Sequence, residues 1–201
     1  ADQKAPDTGG IEPAKKDEAQ RLFSGLRFAC VLEKEGHLAE ALDYLREAGR
    51  SCALFAGEEG CSGPIREACG RSAAGFARCN PAFAGEGGPA RFREAALAFE
   101  LSLLLRLGEE EIASTEGSIT GGLDYWQEAL ELAPAGGQRD AVAADIRQKA
   151  LGRAKALERG MRRGNGAEEG DPSGEESPFD EGIALMDGVN DLCGDSQVRG
   201  V

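Results

Sequence analysis

Cysteine is the residue type in this chain with the widest chemistry, because a thiol can form a disulfide, ligate a metal or attack an electrophile. The chain has six cysteines, and four of them lie between positions 52 and 79. They are Cys30, Cys52, Cys61, Cys69, Cys79 and Cys193. An even number is typical of a closed disulfide framework, which persists in oxidising compartments. The count therefore predicts an extracellular protein in which all six cysteines are oxidised.

The spacing of the cysteines does not favour a metal site. Cys61, Cys69 and Cys79 are separated by seven and nine residues, whereas structural zinc sites use ligand pairs roughly two to four residues apart and often include histidine. We therefore expect no metal ligand and no cofactor. Many pairings of six cysteines are possible in principle. We expect the four cysteines between positions 52 and 79 to pair largely with one another. A disulfide between Cys30 and Cys193 is a candidate cross-link between the C-terminal tail and the bundle.

The other groups that could catalyse a reaction are typical of surface positions. The single histidine, His37, follows a glycine at a predicted helix break, and an oxidised framework leaves it no thiol to activate. Glutamate runs at 109–111 and 175–176 indicate solvated helix faces, not two carboxylates on opposite sides of a cleft. The glycine-rich stretch 85–88 lacks the lysine and the preceding strand of a phosphate-binding loop. We expect no catalytic residue, and hence no enzyme.

The composition restricts the partners. A net charge of −13 repels nucleic acid and anionic lipid and opposes self-association. No apolar run reaches the ~18 residues of a membrane span. Hydrophobic residues make up 41% and aromatic residues 5% of the 201 positions, so the predicted core consists of small side chains. Disulfide cross-links would add most to the stability of such a core.

Apolar residues recur at helical spacing along most of the chain, and no useful stretch alternates apolar and polar residues as a strand does. The fold class predicted is all-α, an elongated bundle with long antiparallel helices and a disulfide-rich lobe. Predicted helix starts, breaks and ends are Pro13, Gly36 with His37, Pro89, Gly117, Gly121 with Gly122, Pro134, the reversal at 135–137, and Pro178.

Four segments are predicted in chain order. A flexible leader occupies 1–12, and a helical bundle occupies 13–163 and includes a cysteine-rich lobe at 52–90. An acidic linker follows at 164–177, and a C-terminal acidic helix and tail occupies 178–201. The face predicted to pack this last helix against the bundle consists of Phe179, Ile183, Met186, Val189 and Cys193.

Long helices rich in alanine and glutamate, a cysteine-bearing lobe and an acidic chain resemble the helical surface-coat proteins of African trypanosomes. Within that class the chain is most similar to the glutamic acid/alanine-rich coat proteins. The resemblance lies in composition and helical pattern over roughly residues 13–193, and it assigns a function to no individual residue. It implies an elongated bundle on the outer face of the cell, attached to the membrane by a C-terminal lipid anchor of the GPI type beyond the present segment.

The resulting hypothesis is a non-enzymatic surface coat protein that shields a parasite cell membrane and presents a disulfide-bonded head, with self-association in a dense coat. One alternative is a helical surface receptor that binds a host macromolecule, which an exposed apolar patch above several hundred Å² would favour. The other is an intracellular helical-repeat adaptor, based on the tetratricopeptide-like stretch 125–134. That alternative requires reduced cysteines.

Overall fold

The computed structural model describes residues 13–53, 89–114, 117–164 and 178–198, and the side chains within 24–47, 94–114, 117–160 and 180–194. The predicted leader, nearly all of the cysteine-rich lobe and the acidic linker lie outside these residues. So do the side chains of Cys52, Cys61, Cys69 and Cys79.

Six helices make up almost all of the described residues. They are α1 (Pro13–Glu35), α2 (Leu38–Ala53), α3 (Pro89–Ala113), α4 (Ile119–Leu132), α5 (Gly137–Gly164) and α6 (Pro178–Val198). No strand occurs in the part of the chain that the structure describes, so the all-α prediction is confirmed. Pro89 and Pro178 each begin a helix as predicted, because proline lacks only an N–H that the first helical turn leaves unbonded.

The chain divides into two compact units, Ala1–Leu103 and Leu104–Val201. In the first unit, α1 packs against α2. In the second unit, α5 packs against α6, and α4 packs against both. Helix α3 begins in the first unit and ends in the second.

A tight reversal joins α1 to α2. The His37 amide donates to the Leu32 carbonyl (2.9 Å), and the Gly36 amide donates to the Glu33 carbonyl (3.2 Å). This pair of hydrogen bonds is the Schellman motif, which requires a left-handed residue after the helix. Gly36 supplies that conformation, with φ at 86°. The predicted break at these two residues is confirmed, and the exposed His37 belongs to the connection between the helices.

Along α1 and α2 the buried residues of the first unit lie at helical spacing, as predicted. Each member of this core is at most 5% exposed: Leu26, Ala29, Cys30, Leu38, Ala41, Leu42, Leu45, Ala95, Phe99, Leu101 and Leu103. An ion pair adds to this packing, because Arg46 Nε of α2 lies 2.8 Å from Glu100 Oε1 of α3. Both charged side chains are less than one-third exposed.

In the second unit, the predicted interruption at Gly121 and Gly122 is wrong. Helix α4 passes through both glycines, and the break lies before it, where Ser118 caps the helix by accepting the Gly121 amide at 2.9 Å. The backbone of α4 approaches the backbone of α3 closely at this point, which leaves no room for a side chain at Gly122. A Cβ added at Gly122 would lie 2.7 Å from the Gly108 carbonyl oxygen.

Helix α6 packs on α5. Its buried face includes Val189 and Cys193 of the predicted face, but it is centred on Leu185 and leaves out Ile183. Leu185, Val189 and Cys193 are fully buried at intervals of four residues, whereas Ile183 is 45% exposed. Met186 is half-buried, and the Phe179 side chain is not among those described. The prediction of Ile183 as a packing residue is therefore wrong, because the buried stripe follows Leu185.

Candidate functional site

The two described cysteine side chains do not form the predicted Cys30–Cys193 staple. Both are buried, and neither forms a disulfide. Cys30 belongs to the core of the first unit and Cys193 to that of the second. Each of the two side chains is fully buried within its own unit. The predicted pairing is therefore wrong, and so, for Cys30 and Cys193, is the prediction that all six cysteines are oxidised. The disulfides predicted within the cluster fall on side chains outside the described residues.

The surroundings of Cys193 indicate a structural role. Its thiol donates to the Ala143 carbonyl at 3.8 Å, and Arg147 donates to the Cys193 carbonyl at 3.4 Å. Burial raises the pKa of the Cys193 thiol, and the positive charge of Arg147 only partly opposes this effect. A thiol with a raised pKa stays protonated near neutral pH and is a poor nucleophile and metal ligand.

Two of the glutamates from the 109–111 run serve structural contacts. Glu109 forms an ion pair with Lys149 of α5, and Glu111 accepts the Ser118 amide at 3.3 Å where α4 begins. The run at 175–176 lies outside the described residues. Within those residues, no group of three histidine, cysteine, aspartate or glutamate side chains could hold a metal ion.

A groove of about 480 Å³ lies in the second unit. It is lined by Glu109, Ile112, Ala113, Trp126, Asp145, Gln148, Lys149, Gly152 and Arg153. Its volume falls in the range of small-ligand sites. However, Lys149 is paired with Glu109, and Arg153 lies 3.6 Å from Glu181. The Trp126 indole, buried at the groove, already donates to the Leu105 carbonyl at 3.1 Å. These contacts favour a role in holding helices together.

Among the side chains that the structure describes, the most exposed large apolar residue lies on the α1–α2 hairpin. The Phe28 and Tyr44 rings stack with their centroids 5.6 Å apart and an interplanar angle of 26°. Phe28 is 56%, Tyr44 46% and Val31 42% exposed. These three residues are called the hairpin patch below. This patch was not predicted from the sequence, although helical spacing places Phe28 opposite the stripe that Leu26 and Cys30 define.

Charged side chains of opposite sign lie on the two helices that carry the hairpin patch. On α1, Arg27 and Lys34 are exposed, with Glu35 at the helix end. On α2, the exposed charges are Glu40, Asp43 and Glu47. The α1 side of the hairpin is therefore partly basic, and the α2 side is acidic. Such an arrangement can orient an approaching protein surface.

No helix in the described ranges combines the length and apolarity that crossing a membrane requires. Comparison of the chain with protein-family models, with curated proteins and with solved structures gives no match.

Proposed function

We propose that the protein is a non-enzymatic helical coat protein that shields the outer face of a cell membrane. The observation that supports this proposal most is that two potentially reactive side chains, Cys193 and Glu109, make contacts between helices. The Cys193 thiol is buried with a raised pKa, and Glu109 is paired with Lys149 between two helices. Side chains used in this way maintain packing, which is what a shielding protein requires of them.

The charge of the molecule fits the same role. Copies packed side by side on a membrane must resist clumping, and a net charge of −13 supplies long-range repulsion between them. A helical scaffold adds stiffness, because each backbone amide within a helix bonds inside the same segment. In this proposal the cysteine-rich lobe forms the head, and a lipid anchor beyond residue 201 holds the protein on the cell.

Counting thiols tests the compartment that the proposal requires. Peptide mapping without reductant should find thiols at Cys30 and Cys193, and disulfides among Cys52, Cys61, Cys69 and Cys79. Disulfides persist in oxidising compartments and are rare in the cytosol. Six thiols in protein isolated with alkylating agent present from lysis would contradict the coat proposal and favour the intracellular adaptor.

A surface receptor is the second candidate, and the hairpin patch is the observation in its favour. The size of the patch favours the coat, however. An aromatic side chain has roughly 200 Å² of surface, so Phe28 and Tyr44, each about half exposed, present together roughly 200 Å². The smaller Val31, which is 42% exposed, adds less than either ring. Patches that mark binding sites usually cover several hundred Å².

Binding measurements on cells separate the two candidates. A receptor should take up a host macromolecule saturably, and replacing Phe28 and Tyr44 with serine should lower that affinity at least tenfold. Leu151→Ser is the matched control, because Leu151 is 44% exposed on α5. The coat proposal expects no saturable uptake by the unmodified protein.

A further inference from the structure

We propose that the groove of the second unit binds a short peptide with free ends, whose carboxylate pairs with Arg153 and whose ammonium group pairs with Asp145. This inference goes beyond the coat function and does not depend on it. It rests on the apolar lining of the groove, on the two charged side chains that the fold leaves available, and on the distance between them.

The apolar part of the groove is formed before any ligand arrives. Ile112 of α3 and Trp126 of α4 line the groove, and they are only 3% and 1% exposed. The Trp126 indole is held in place by its hydrogen bond to the Leu105 carbonyl. Ligand sites typically combine such a fixed apolar surface with a few polar groups that converge on it.

Helix α5 leaves the groove open where it contributes Gly152. Nothing lies within 4 Å of the position that a Cβ would take there, and the exposed glycine adds no side chain of its own. The other lining residues of α5 have polar side chains: Asp145, Gln148, Lys149 and Arg153. The polar groups that a ligand meets therefore come mainly from α5.

Arg153 has bonding capacity that the fold does not use. Its guanidinium lies 3.6 Å from Glu181 of α6, whereas a charge-assisted hydrogen bond is about 2.7–2.9 Å long. Its Nε is buried without a hydrogen-bond partner among the described residues, and a buried donor without an acceptor lowers stability. The side chain is 30% exposed, so it can turn toward a carboxylate in the groove and bind it through two parallel hydrogen bonds.

Asp145 carries the opposite charge and is also available. Its side chain is half-buried, and no described residue forms an ion pair or a hydrogen bond with its carboxylate. The other cation of the groove, Lys149, is already paired with Glu109 of α3. The groove therefore offers one guanidinium and one carboxylate to a ligand.

The spacing of Asp145 and Arg153 selects the length of the ligand. The two residues are eight positions apart on α5, which corresponds to a rise of about 12 Å. An extended peptide covers about 3.3–3.6 Å per residue, so three residues separate an ammonium group from a carboxylate by about 10 Å. The long arginine side chain covers the remainder. A single amino acid is too short, because both of its charged groups are attached to one Cα.

Gln148 fits the same ligand. It lies between Asp145 and Arg153 on α5 and lines the groove, and no described residue forms a hydrogen bond with its side-chain amide. This amide both donates and accepts hydrogen bonds, as a peptide bond does. A peptide bond that leaves water must find such a partner, so Gln148 favours a peptide over a hydrocarbon chain with charged ends.

The charge of the lining favours a ligand that carries both signs. Two carboxylates, of Glu109 and Asp145, and two cations, Lys149 and Arg153, line the groove, so their formal charges cancel. A ligand with a carboxylate alone would meet the unpaired Asp145 and the repulsion of a chain with a net charge of −13. A peptide with both ends free avoids that repulsion and pairs with both available groups.

Titration of the unmodified full chain with trileucine provides the first test. This probe supplies three apolar residues and two free ends. Isothermal titration calorimetry should give a Kd below about 1 mM, and the fluorescence of Trp126, the only tryptophan, should change as the groove fills. Acetylation of the amino end, or amidation of the carboxyl end, removes one charge from the probe and should raise the Kd at least tenfold.

Two variants assign the ends of the probe. Arg153→Gln should raise the Kd of trileucine at least tenfold but should not weaken binding of the amidated probe, which has no carboxylate. Asp145→Asn should weaken trileucine equally and should spare the acetylated probe. Arg159→Gln is the matched control and should leave all three probes unaffected, because Arg159 is exposed on the same helix outside the groove lining. Circular dichroism should report the same helix content for every variant.

Two results would overturn the proposal. One is a Kd for trileucine above about 1 mM. The other is a groove that does not recognise the ends of the peptide, shown by end-blocked probes that bind as tightly as trileucine, or by variants that weaken free and blocked probes equally. Neither result bears on cell-surface location, which is measured separately, so failure of this inference is distinguishable from failure of the coat proposal.

Discussion

Replacing Gly108 with alanine should destabilise the second unit, because the backbones of α3 and α4 meet there. A Cβ at Gly108 would lie 2.3 Å from Trp126 Nε1, 2.4 Å from Trp126 Cδ1 and 2.8 Å from the Gly122 carbonyl oxygen. Ordinary contacts between carbon atoms are about 3.5–4.0 Å. The added methyl group therefore overlaps the indole by more than about 1 Å, and the indole is buried.

The size of the effect follows from two opposing terms. Alanine in a helix interior gains about 0.5–1 kcal/mol over glycine. Overpacking a dense core costs about 1–3 kcal/mol, and displacing the indole also weakens its hydrogen bond to the Leu105 carbonyl, which adds about 1 kcal/mol. The net prediction for Gly108→Ala is a loss of about 2 kcal/mol of unfolding free energy.

Gly152→Ala is the matched control. Gly152 also lies inside a helix, α5, but nothing lies within 4 Å of the position its Cβ would take. Alanine there should raise the unfolding free energy by about 0.5–1 kcal/mol. The two substitutions are chemically identical and should have opposite signs, which excludes helix propensity as the explanation.

Urea unfolding followed by tryptophan fluorescence measures both variants. The chain has one tryptophan, so the signal from Trp126 reports on the second unit alone. If Gly108→Ala were neutral, or stabilised the protein as much as Gly152→Ala, the close approach of α3 and α4 at Gly108 would be refuted.

Three further predictions concern other contacts. Gly36→Ala should lower the unfolding free energy by about 1 kcal/mol. Gly36 has φ at 86° with open space around it, so the loss comes from backbone strain and not from a clash. Chemical denaturation checks this, and an unchanged midpoint would contradict it. Glu100→Gln should lower the unfolding free energy by about 1 kcal/mol, because it removes the half-buried ion pair with Arg46. In a chain that already carries Arg46→Met, the same substitution should leave the unfolding free energy unchanged. Cys193 in the native protein should resist alkylation at pH 8, and rapid alkylation would refute its burial. The unfolding free energy should fall as the pH rises above the ordinary pKa of a thiol. The reason is that the unfolded thiol then loses its proton while the buried thiol, with its raised pKa, keeps it.

The sequence predicted the helical fold because its signals were local. Pro89 and Pro178 mark helix starts, and Gly36 ends α1 because it adopts the left-handed conformation that the turn needs. Stripes such as Leu26, Ala29 and Cys30 repeat with the helical period, so their burial needs no knowledge of the partner helix. The elongation of the bundle, its anchor and the head stay predictions.

The errors arose where a distant partner decided the outcome. Gly121 and Gly122 resemble helix breakers locally, but the close passage of α3 makes glycine at 122 a packing requirement. Ile183 and Leu185 are equally apolar, and only the position of α5 determines which of them α6 buries. The Cys30–Cys193 pairing failed for the same reason, because an even count of cysteines contains no information on which thiols meet.

Labelling of intact cells tests the central claim, that this chain covers a membrane from outside, most directly. The full-length protein should react with a membrane-impermeant amine reagent on unbroken cells, in high copy number, and most of the label should enter the medium after treatment with a phospholipase that cleaves lipid anchors. A cytosolic protein labelled in the same experiment should stay unmodified. Labelling that requires permeabilised cells would contradict the account, and so would a sparse surface protein that phospholipase does not release.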